Sequence, residues 1–155
     1  MRVLAALVRK ELRAVFTSPI AYAVIAVFIV LTGYTFVVSM IVSKQATLIH
    51  IFFQSAVQLI LLVPLITMRQ FAEERRSGTI ELLLTSPIRE IDIVLAKFVA
   101  CMVVLLAMTG LTLVYAAVLA AYSEPDFGPI YSGYVGLVML AAALASIGLA
   151  ISALT

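Results

Sequence analysis

Residues 69–87 read RQFAEERRSGTIELLLTSP and form a charged stretch in a chain that is otherwise dominated by apolar runs. Consecutive acids and arginines occupy residues 73–76. An apolar run long enough to cross a bilayer lies on each side of the stretch. Because charged loops are not tolerated in hydrocarbon, the stretch must lie in water, and the rest of the chain is organised around it.

The charged stretch carries signals of ordered helices. Residues 69–76 contain no helix breaker, so the preceding helix is predicted to continue beyond the membrane surface. Gly78 is placed to end that helix, because glycine takes the left-handed conformation without a Cβ clash. Thr79 can cap a short second helix, with Glu81 near its positive N-terminal end. The Ser-Pro pair that follows fits the start of a further helix.

The short second helix is predicted to present apolar side chains to the cytosol or the membrane interface. They are Ile80, Leu82, Leu83 and Leu84. Exposed apolar side chains of this kind indicate a partner protein. A solvated connector without a docking role is the alternative, and the Gly-Thr break followed by TIELLL favours docking.

The composition is typical of an integral membrane protein. The chain is 65% hydrophobic and 12% charged, whereas soluble domains have about 45–50% apolar and about 25% charged residues. The single cysteine, Cys101, lies in an apolar run and is predicted to be a small packing residue.

No catalytic constellation is present in the sequence. There is one histidine, and no glycine-rich phosphate-binding loop, so the chain is not expected to be an enzyme or to hydrolyse ATP by itself. No metal site or cofactor is expected, because clusters of His, Cys or carboxylates are missing. Nucleic-acid binding is not expected either, because the basic residues lie at the membrane boundaries.

Four apolar runs predict an all-α, polytopic bundle of transmembrane helices that forms one domain over residues 1–155. The predicted spans are 19–42, 47–68, 93–121 and 134–154, and about 20 residues suffice to cross the hydrocarbon core. Ser18-Pro19 opens the first span, and Pro64 predicts a kink in the second. A turn-rich acidic loop is predicted over residues 122–133.

Residues 1–17 predict an amphipathic helix that lies in the headgroup plane. Its basic side, with Arg2, Arg9 and Arg13, is predicted to face anionic lipid. A signal peptide is excluded because the next apolar run is too long and no small-residue cleavage site follows. A solvated charged leader is the alternative. The start of the third span is also predicted to be amphipathic, with Lys97 on its polar side.

The lysines and arginines determine the predicted orientation. With four spans, the N-terminus, the loop over residues 69–91 and the C-terminus share one side, which carries nine of the ten basic residues. Lys44 lies alone on the other side, together with Glu124 and Asp126. The sequence therefore predicts that the N-terminus and the 69–91 loop are cytoplasmic.

A polar stripe lies within the second span. Thr47, His50, Gln54 and Gln58 follow the spacing i, i+3, i+7, i+11, which places them on one helix face. Polar side chains in hydrocarbon are costly unless they are paired or face water, so the stripe predicts a substrate route. The alternative is hydrogen bonding between helices, at less than about 2 kcal/mol per bond.

The last span carries small residues at helical spacing. They are Ala142, Ser146 and Ala150 on one line and Gly148 and Ser152 on another. Such spacing lets helix backbones approach closely, and packing within the bundle is favoured over a specific dimer seam.

The sequence around the charged stretch resembles the signature of the type-2 ABC exporter permeases. The matching residues are Met68, Arg69, Ala72, Glu73, Glu74, Arg75, Gly78, Thr79, Glu81, Leu82, Leu83, Ser86 and Pro87. The Lys-Glu-Leu triplet at residues 10–12 and Ser18-Pro19 also resemble the family's start. Within the family, the chain is most similar to the branch associated with bacterial gliding motility.

The resemblance implies a permease subunit of the bacterial inner membrane that dimerises with a second copy or a paralogue and pairs with a separate ATP-binding subunit. In this family the loop carries a coupling helix that sits in a groove of the ATPase, and the N-terminal helix also contacts the ATPase. The implied docking residues are Glu73, Glu74, Arg75, Gly78, Thr79, Glu81, Leu82, Leu83 and Leu84.

The resemblance also implies that the second span lines the route, which favours the route interpretation of the polar stripe. Family permeases have six spans and this sequence shows four, so a fragment or truncated reading frame is expected. Two other classes of function remain open. One is an ATP-independent channel that uses the polar stripe, and the other is a membrane anchor or assembly factor that recruits a cytosolic protein.

Overall fold

The computed structural model describes residues 2–43, 47–77 and 90–154. All regular structure in these ranges is helical, which confirms the predicted all-α class. The helices are α1 (Arg2–Thr17), α2 (Pro19–Ser43), α3 (Ile49–Ser77), α4 (Glu90–Leu111), α5 (Leu113–Tyr122) and α6 (Phe127–Leu154).

Four segments of these helices are long and apolar enough to cross a membrane. They are Pro19–Val42, Ile49–Met68, Ile91–Tyr122 and Phe127–Ser152. The outside of the bundle is itself apolar: Val30, Phe53 and Leu61 are each more than half exposed. A bundle of helices with an apolar exterior suits lipid as its solvent, which confirms the predicted polytopic architecture.

The first membrane helix begins as its sequence predicts. Oγ of Ser18 accepts a hydrogen bond of 3.3 Å from the backbone N–H of Ile20, and Pro19 is the first residue of α2. The serine accepts a hydrogen bond from one backbone N–H of the first helical turn, and proline has no N–H that would need a partner there. The sharp start separates α2 from α1 by a single residue.

The predicted acidic loop at residues 122–133 is wrong in its second half, because α6 already begins at Phe127. Oδ1 of Asp126 accepts a hydrogen bond of 3.1 Å from the backbone N–H of Gly128, so the aspartate acts as a helix cap. Pro129 occupies the first turn, where a missing N–H costs nothing. Residues that resemble a turn therefore start a helix here.

The main core lies between α2, α3, α4 and α6. Its buried members are Phe28, Leu59, Val63, Cys101, Val104, Leu105, Met108, Leu137, Ala141 and Ala145. Cys101 is fully buried, which confirms its prediction as a packing residue. The helices α3 and α6 make the most extensive contact in the bundle, followed by α1 and α4.

The small residues that pack in α6 agree with the predicted lines only in part. Gly148 of the second line is buried, as predicted, whereas Ser146 and Ala150 of the first line are exposed and the buried alanines, Ala141 and Ala145, lie one position away from that line. A helix with small residues at several neighbouring positions offers two possible close-packing faces, and the contact with α3 selects one of them. At Gly148 that contact leaves no room for a Cβ beside Thr67.

A second cluster closes the end of the bundle away from α1. Leu48, Ile51, Leu119 and Ile130 are buried there. The ring of Tyr115 stacks on Phe36 with centroids 5.2 Å apart, and its hydroxyl donates a hydrogen bond of 3.1 Å to the carbonyl of Ile29. Aromatic contacts therefore tie α5 to α2.

The predicted third span is divided at Thr112, where α4 ends and α5 begins. The carbonyl of Thr109 accepts hydrogen bonds from both the backbone N–H and the hydroxyl of Thr112, at 3.2 and 2.6 Å. A further hydrogen bond of 3.1 Å joins Oγ1 of Thr112 to the hydroxyl of Tyr134 on α6. Bonds to the residue three positions earlier tighten the backbone locally into a 3₁₀-type turn.

Candidate docking segment, polar face and buried ion pair

The candidate docking segment begins as an extension of a membrane helix. The helix α3 continues from its membrane span to Ser77, so the predicted extension beyond Met68 is confirmed. The extension is about 13 Å long at about 1.5 Å per residue. Glu73, Glu74 and Arg75 lie in the last turns of α3. The other predicted docking residues lie outside the described residues: Gly78, Thr79, Glu81, Leu82, Leu83 and Leu84.

The polar stripe of α3 does not surround one common cavity. Gln58 is buried against α2, Gln54 is half-buried, and His50 is exposed on the outside of the bundle. Thr47 is half-buried and lines a small cavity of about 60 Å³ beside Asp126. The structure therefore brings Gln58 to another helix and leaves His50 facing outward.

Gln58 makes an incomplete hydrogen-bonding contact with α2. Its Oε1 lies 3.4 Å from Oγ1 of Thr32, whose hydroxyl also lies 2.7 Å from the carbonyl of Phe28. The threonine has a single hydroxyl hydrogen, and the short bond to Phe28 is the better use of it. Rotating the amide would let Nε2 donate to Oγ1 instead, and would leave Oε1 unpaired. One neighbour cannot satisfy both ends of the amide.

Two buried polar atoms near this contact have no hydrogen-bond partner among the described residues. They are Nε2 of Gln58 and Oγ of Ser55, which lie one turn apart on α3. A buried unsatisfied polar group costs about 1–3 kcal/mol. Ser55 and Thr32 were not among the predicted site residues, although the i, i+3 spacing from Ser55 to Gln58 could have indicated the first of them.

Replacing Gln58 by Met is expected to raise the free energy of unfolding by about 1–3 kcal/mol, because it removes the unsatisfied amide and keeps an unbranched side chain. A dye that fluoresces on reaction with a thiol measures this, since Cys101 is buried and becomes reactive on unfolding. Gln54→Met is the matched control and should change little. A lower stability of Gln58→Met would show that the amide is satisfied in the native bundle.

A buried ion pair joins α1 to α4. Nζ of Lys97 lies 3.5 Å from Oε2 of Glu11, and the side chains are 0% and 9% exposed. The prediction that Lys97 lies on a polar face is wrong: Ile91, Val94 and Leu95 are exposed, and Lys97 is buried. The physical reason is that α1 packs against α4.

The sequence contains a signal for this pair. Glu11 is the only acid before Glu73, and Lys97 is the last basic residue of the chain, inside an apolar run. A lysine inside an apolar run needs an acidic partner, since an unpaired charge in hydrocarbon is costly, and the one acid of the N-terminal helix is a candidate for it.

The outer side of α1 is basic. Arg9 and Arg13 are exposed and line an open groove of about 540 Å³ together with Ala5, Ala6 and Lys10. Within the part of the chain that the structure describes, no group of His, Cys, Asp or Glu could hold a metal ion. The arrangement thus consists of a helical extension, a buried polar contact and an anchored basic helix.

These features define an all-α, multi-pass membrane protein with one membrane helix that extends beyond its span. Residues 52–155 match the family described as ABC-2 family transporter protein, and the chain belongs to that family. This confirms the predicted resemblance to the ABC-2 permeases and makes the chain a membrane component of transport. Comparisons with curated proteins and with solved structures found no match.

Proposed function

We propose that this chain is the membrane-spanning permease subunit of an ATP-binding-cassette exporter and that a separate subunit hydrolyses ATP. The family match supports the permease role. The sequence supports a separate ATPase, because it contains no glycine-rich phosphate-binding loop. The chain lies in a bacterial inner membrane with its N-terminus in the cytoplasm, and it dimerises with a second copy or a paralogue.

The ATP-binding subunit docks on the segment from Glu73 to Leu84. The docking residues are Glu73, Glu74, Arg75, Gly78, Thr79, Glu81, Leu82, Leu83 and Leu84. The observation that carries this proposal is the continuity of α3, which runs from Ile49 in the membrane to Ser77 at the docking segment. A force on the docking segment therefore acts directly on a membrane span.

Closure of the ATP-binding subunits moves α3 between two positions relative to its neighbours. The contact of Thr67 with Gly148 and the contact of Gln58 with Thr32 lie along α3 and would both be displaced. Packed helices tend to have discrete arrangements, so the change is a switch between two states. The difference in docking free energy between the two states supplies the coupling.

The substrate route uses the polar stripe Thr47, His50, Gln54 and Gln58, of which Gln58 contacts α2 and His50 faces outward, where the proposed second copy or paralogue would have to enclose it. The buried unpaired atoms of Gln58 and Ser55 support this role, because they are kept in a hydrophobic core at a cost in stability. If α3 separated from α2 during transport, water would reach these atoms. The polar groups that destabilise the packed bundle would then line the route.

The test is purification of the tagged chain from its native membrane in mild detergent, with partners identified by mass. Wild type is expected to retain an ATP-binding subunit, and Glu81→Arg is expected to lose at least about nine-tenths of it, as loss of a hot-spot contact does. Glu124→Arg is the matched control, because Glu124 is exposed at the other end of the bundle and should not affect retention.

Two outcomes would contradict the proposal. Full retention by Glu81→Arg would remove the docking assignment. A wild-type chain that retains no ATP-binding subunit, or that transports after ATP depletion, would contradict the exporter and favour the anchor or the channel.

A further inference from the structure

The buried pair of Glu11 and Lys97 is a charged contact between α1 and the membrane bundle. Lys97 is completely buried, and the atoms of the pair are 3.5 Å apart. Burial of both charges carries a large desolvation cost, and in some proteins a buried polar or charged contact of this kind specifies one arrangement of the helices. An apolar contact alone would let the two helices slide by a turn, whereas a pair fixes their register.

The two faces of α1 are separated by charge. Leu7 and Glu11 are buried, and Val15 packs against the main core, so the inner face follows a spacing of four residues. Arg9 and Arg13 are each about 160° from Glu11 at about 100° per residue, and both are exposed. Among the charged side chains described in α1, Glu11 is the one that points inward.

Lys97 lies shortly after the docking segment in the sequence. The helix α4 begins at Glu90, directly after residues 78–89, and Lys97 follows about 10 Å further along the helix axis. No break in α4 separates Glu90 from Lys97. A displacement of the first turn of α4 therefore reaches Lys97 through a continuous helix.

We propose that Glu11 and Lys97 are positioning residues that fix α1 to α4, so that α1 moves as one unit with the segment that follows the docking loop. The attachment follows from the geometry of the pair. The transmission of movement rests on the proposed function. Under this proposal the ATP-binding subunit moves α1 as well as α3, and the basic outer face of α1 shifts relative to the membrane surface.

The attachment is tested by thiol labelling of the full chain in its native membrane. A Leu7→Cys reporter in a Cys101→Ala background is protected while α1 is attached, and an Ala5→Cys reporter is exposed in either state. Glu11→Gln and Lys97→Gln are expected to raise the labelling rate at position 7 at least about tenfold, because removing one member of a buried pair is strongly destabilising. Lys97→Arg and the exchange Glu11→Lys/Lys97→Glu should restore protection.

Lys10→Gln is the matched control. Lys10 lies 3.8 Å from Glu11 but is 48% exposed, and pairs in water contribute little, so protection at position 7 should not change. General unfolding is tested separately in chains that keep Cys101 and carry no reporter cysteine, where Cys101 must remain unlabelled in Glu11→Gln and Lys97→Gln. Unchanged protection at position 7 in both variants would overturn the attachment.

The transmission is tested by the ATPase activity of the retained ATP-binding subunit. Glu11→Gln and Lys97→Gln are expected to lower the stimulated activity per retained subunit at least about fivefold, a coupling loss within the usual range, and the charge exchange should recover it. If these variants label fast at position 7 but still stimulate the ATPase fully, the proposed transmission of movement through α1 is contradicted. If wild type stimulates no ATPase, the proposed function fails, while the labelling result still decides the attachment.

Discussion

Replacing Gly148 by Val is expected to lower the free energy of unfolding by about 3 kcal/mol, because it overpacks the contact between α3 and α6. A Cβ at position 148 would collide with Oγ1 of Thr67 and would lie 3.1 Å from its Cβ and Cγ2. Thr67 is fully buried, and its hydroxyl donates a hydrogen bond of 3.1 Å to the carbonyl of Pro64. The threonine cannot turn away freely, so the helices must separate.

Gly136→Val in the same helix is the control for the intrinsic effect of valine. A Cβ at position 136 meets nothing within 4 Å, and valine has a better helix propensity than glycine by a few tenths of a kcal/mol. Gly136→Val should therefore leave the unfolding midpoint unchanged or raise it slightly. The thiol-reactive dye at Cys101 measures both variants. Equal midpoints for the two variants would contradict the close approach of α6 to α3.

Replacing Phe28 by Ala is expected to lower the free energy of unfolding by about 3–5 kcal/mol, because it leaves a cavity in the main core. Phe28 is fully buried, whereas most of the membrane-spanning part of α2 faces outward. Because few side chains of α2 are buried, Phe28 contributes much of the packing free energy that holds α2 to the bundle. Loss of the anchor should also loosen the contact between Thr32 and Gln58, one turn further along α2.

Phe53→Ala is the matched control for Phe28→Ala. Phe53 belongs to α3 and is 72% exposed on the outside of the bundle, so its removal opens no internal cavity. The same dye should detect a midpoint near that of wild type. If Phe53→Ala destabilises the chain as much as Phe28→Ala does, the outward surface of α3 is covered by protein and the core assignment of Phe28 loses its support.

Local signals in the sequence were sufficient to predict the four membrane-spanning segments and their membrane character. Long apolar runs have few alternatives to membrane helices, because hydrocarbon leaves backbone groups no other partners. The start of α2 at Ser18-Pro19 was equally local, since both residues act within one turn. The extension of α3 to Ser77 followed from the absence of a helix breaker.

Features that depend on contacts between distant segments were not predicted. Lys97 is buried because α1 covers it, and a lysine in an apolar run calls for a partner without indicating which helix supplies it. The turn at Thr112 lies among helix-forming apolar residues and is joined to Tyr134 on another helix. The buried alanines of α6, Ala141 and Ala145, are shifted by one position from the first predicted line because the neighbouring helix selects the face.

The functional residues were predicted by two kinds of argument with different outcomes. The charged stretch led to the family by its motif, and the family match confirms that step. The polar stripe was predicted from helical periodicity, and periodicity does not indicate which neighbouring helix each side chain contacts. Gln58 meets Thr32, while His50 meets no inner surface.

The turn at Thr112 has a mechanical consequence for the third span. The half on the α1 side carries Lys97, and the other half carries Tyr115 and Leu119, which belong to a different cluster. An unbroken rod passes a tilt at one membrane surface undiminished to the other surface. The turn at Thr112 keeps helical backbone angles and is held by hydrogen bonds to Thr109 and Tyr134, so a tilt of the half that carries Lys97 would also load the contact with Tyr134 on α6.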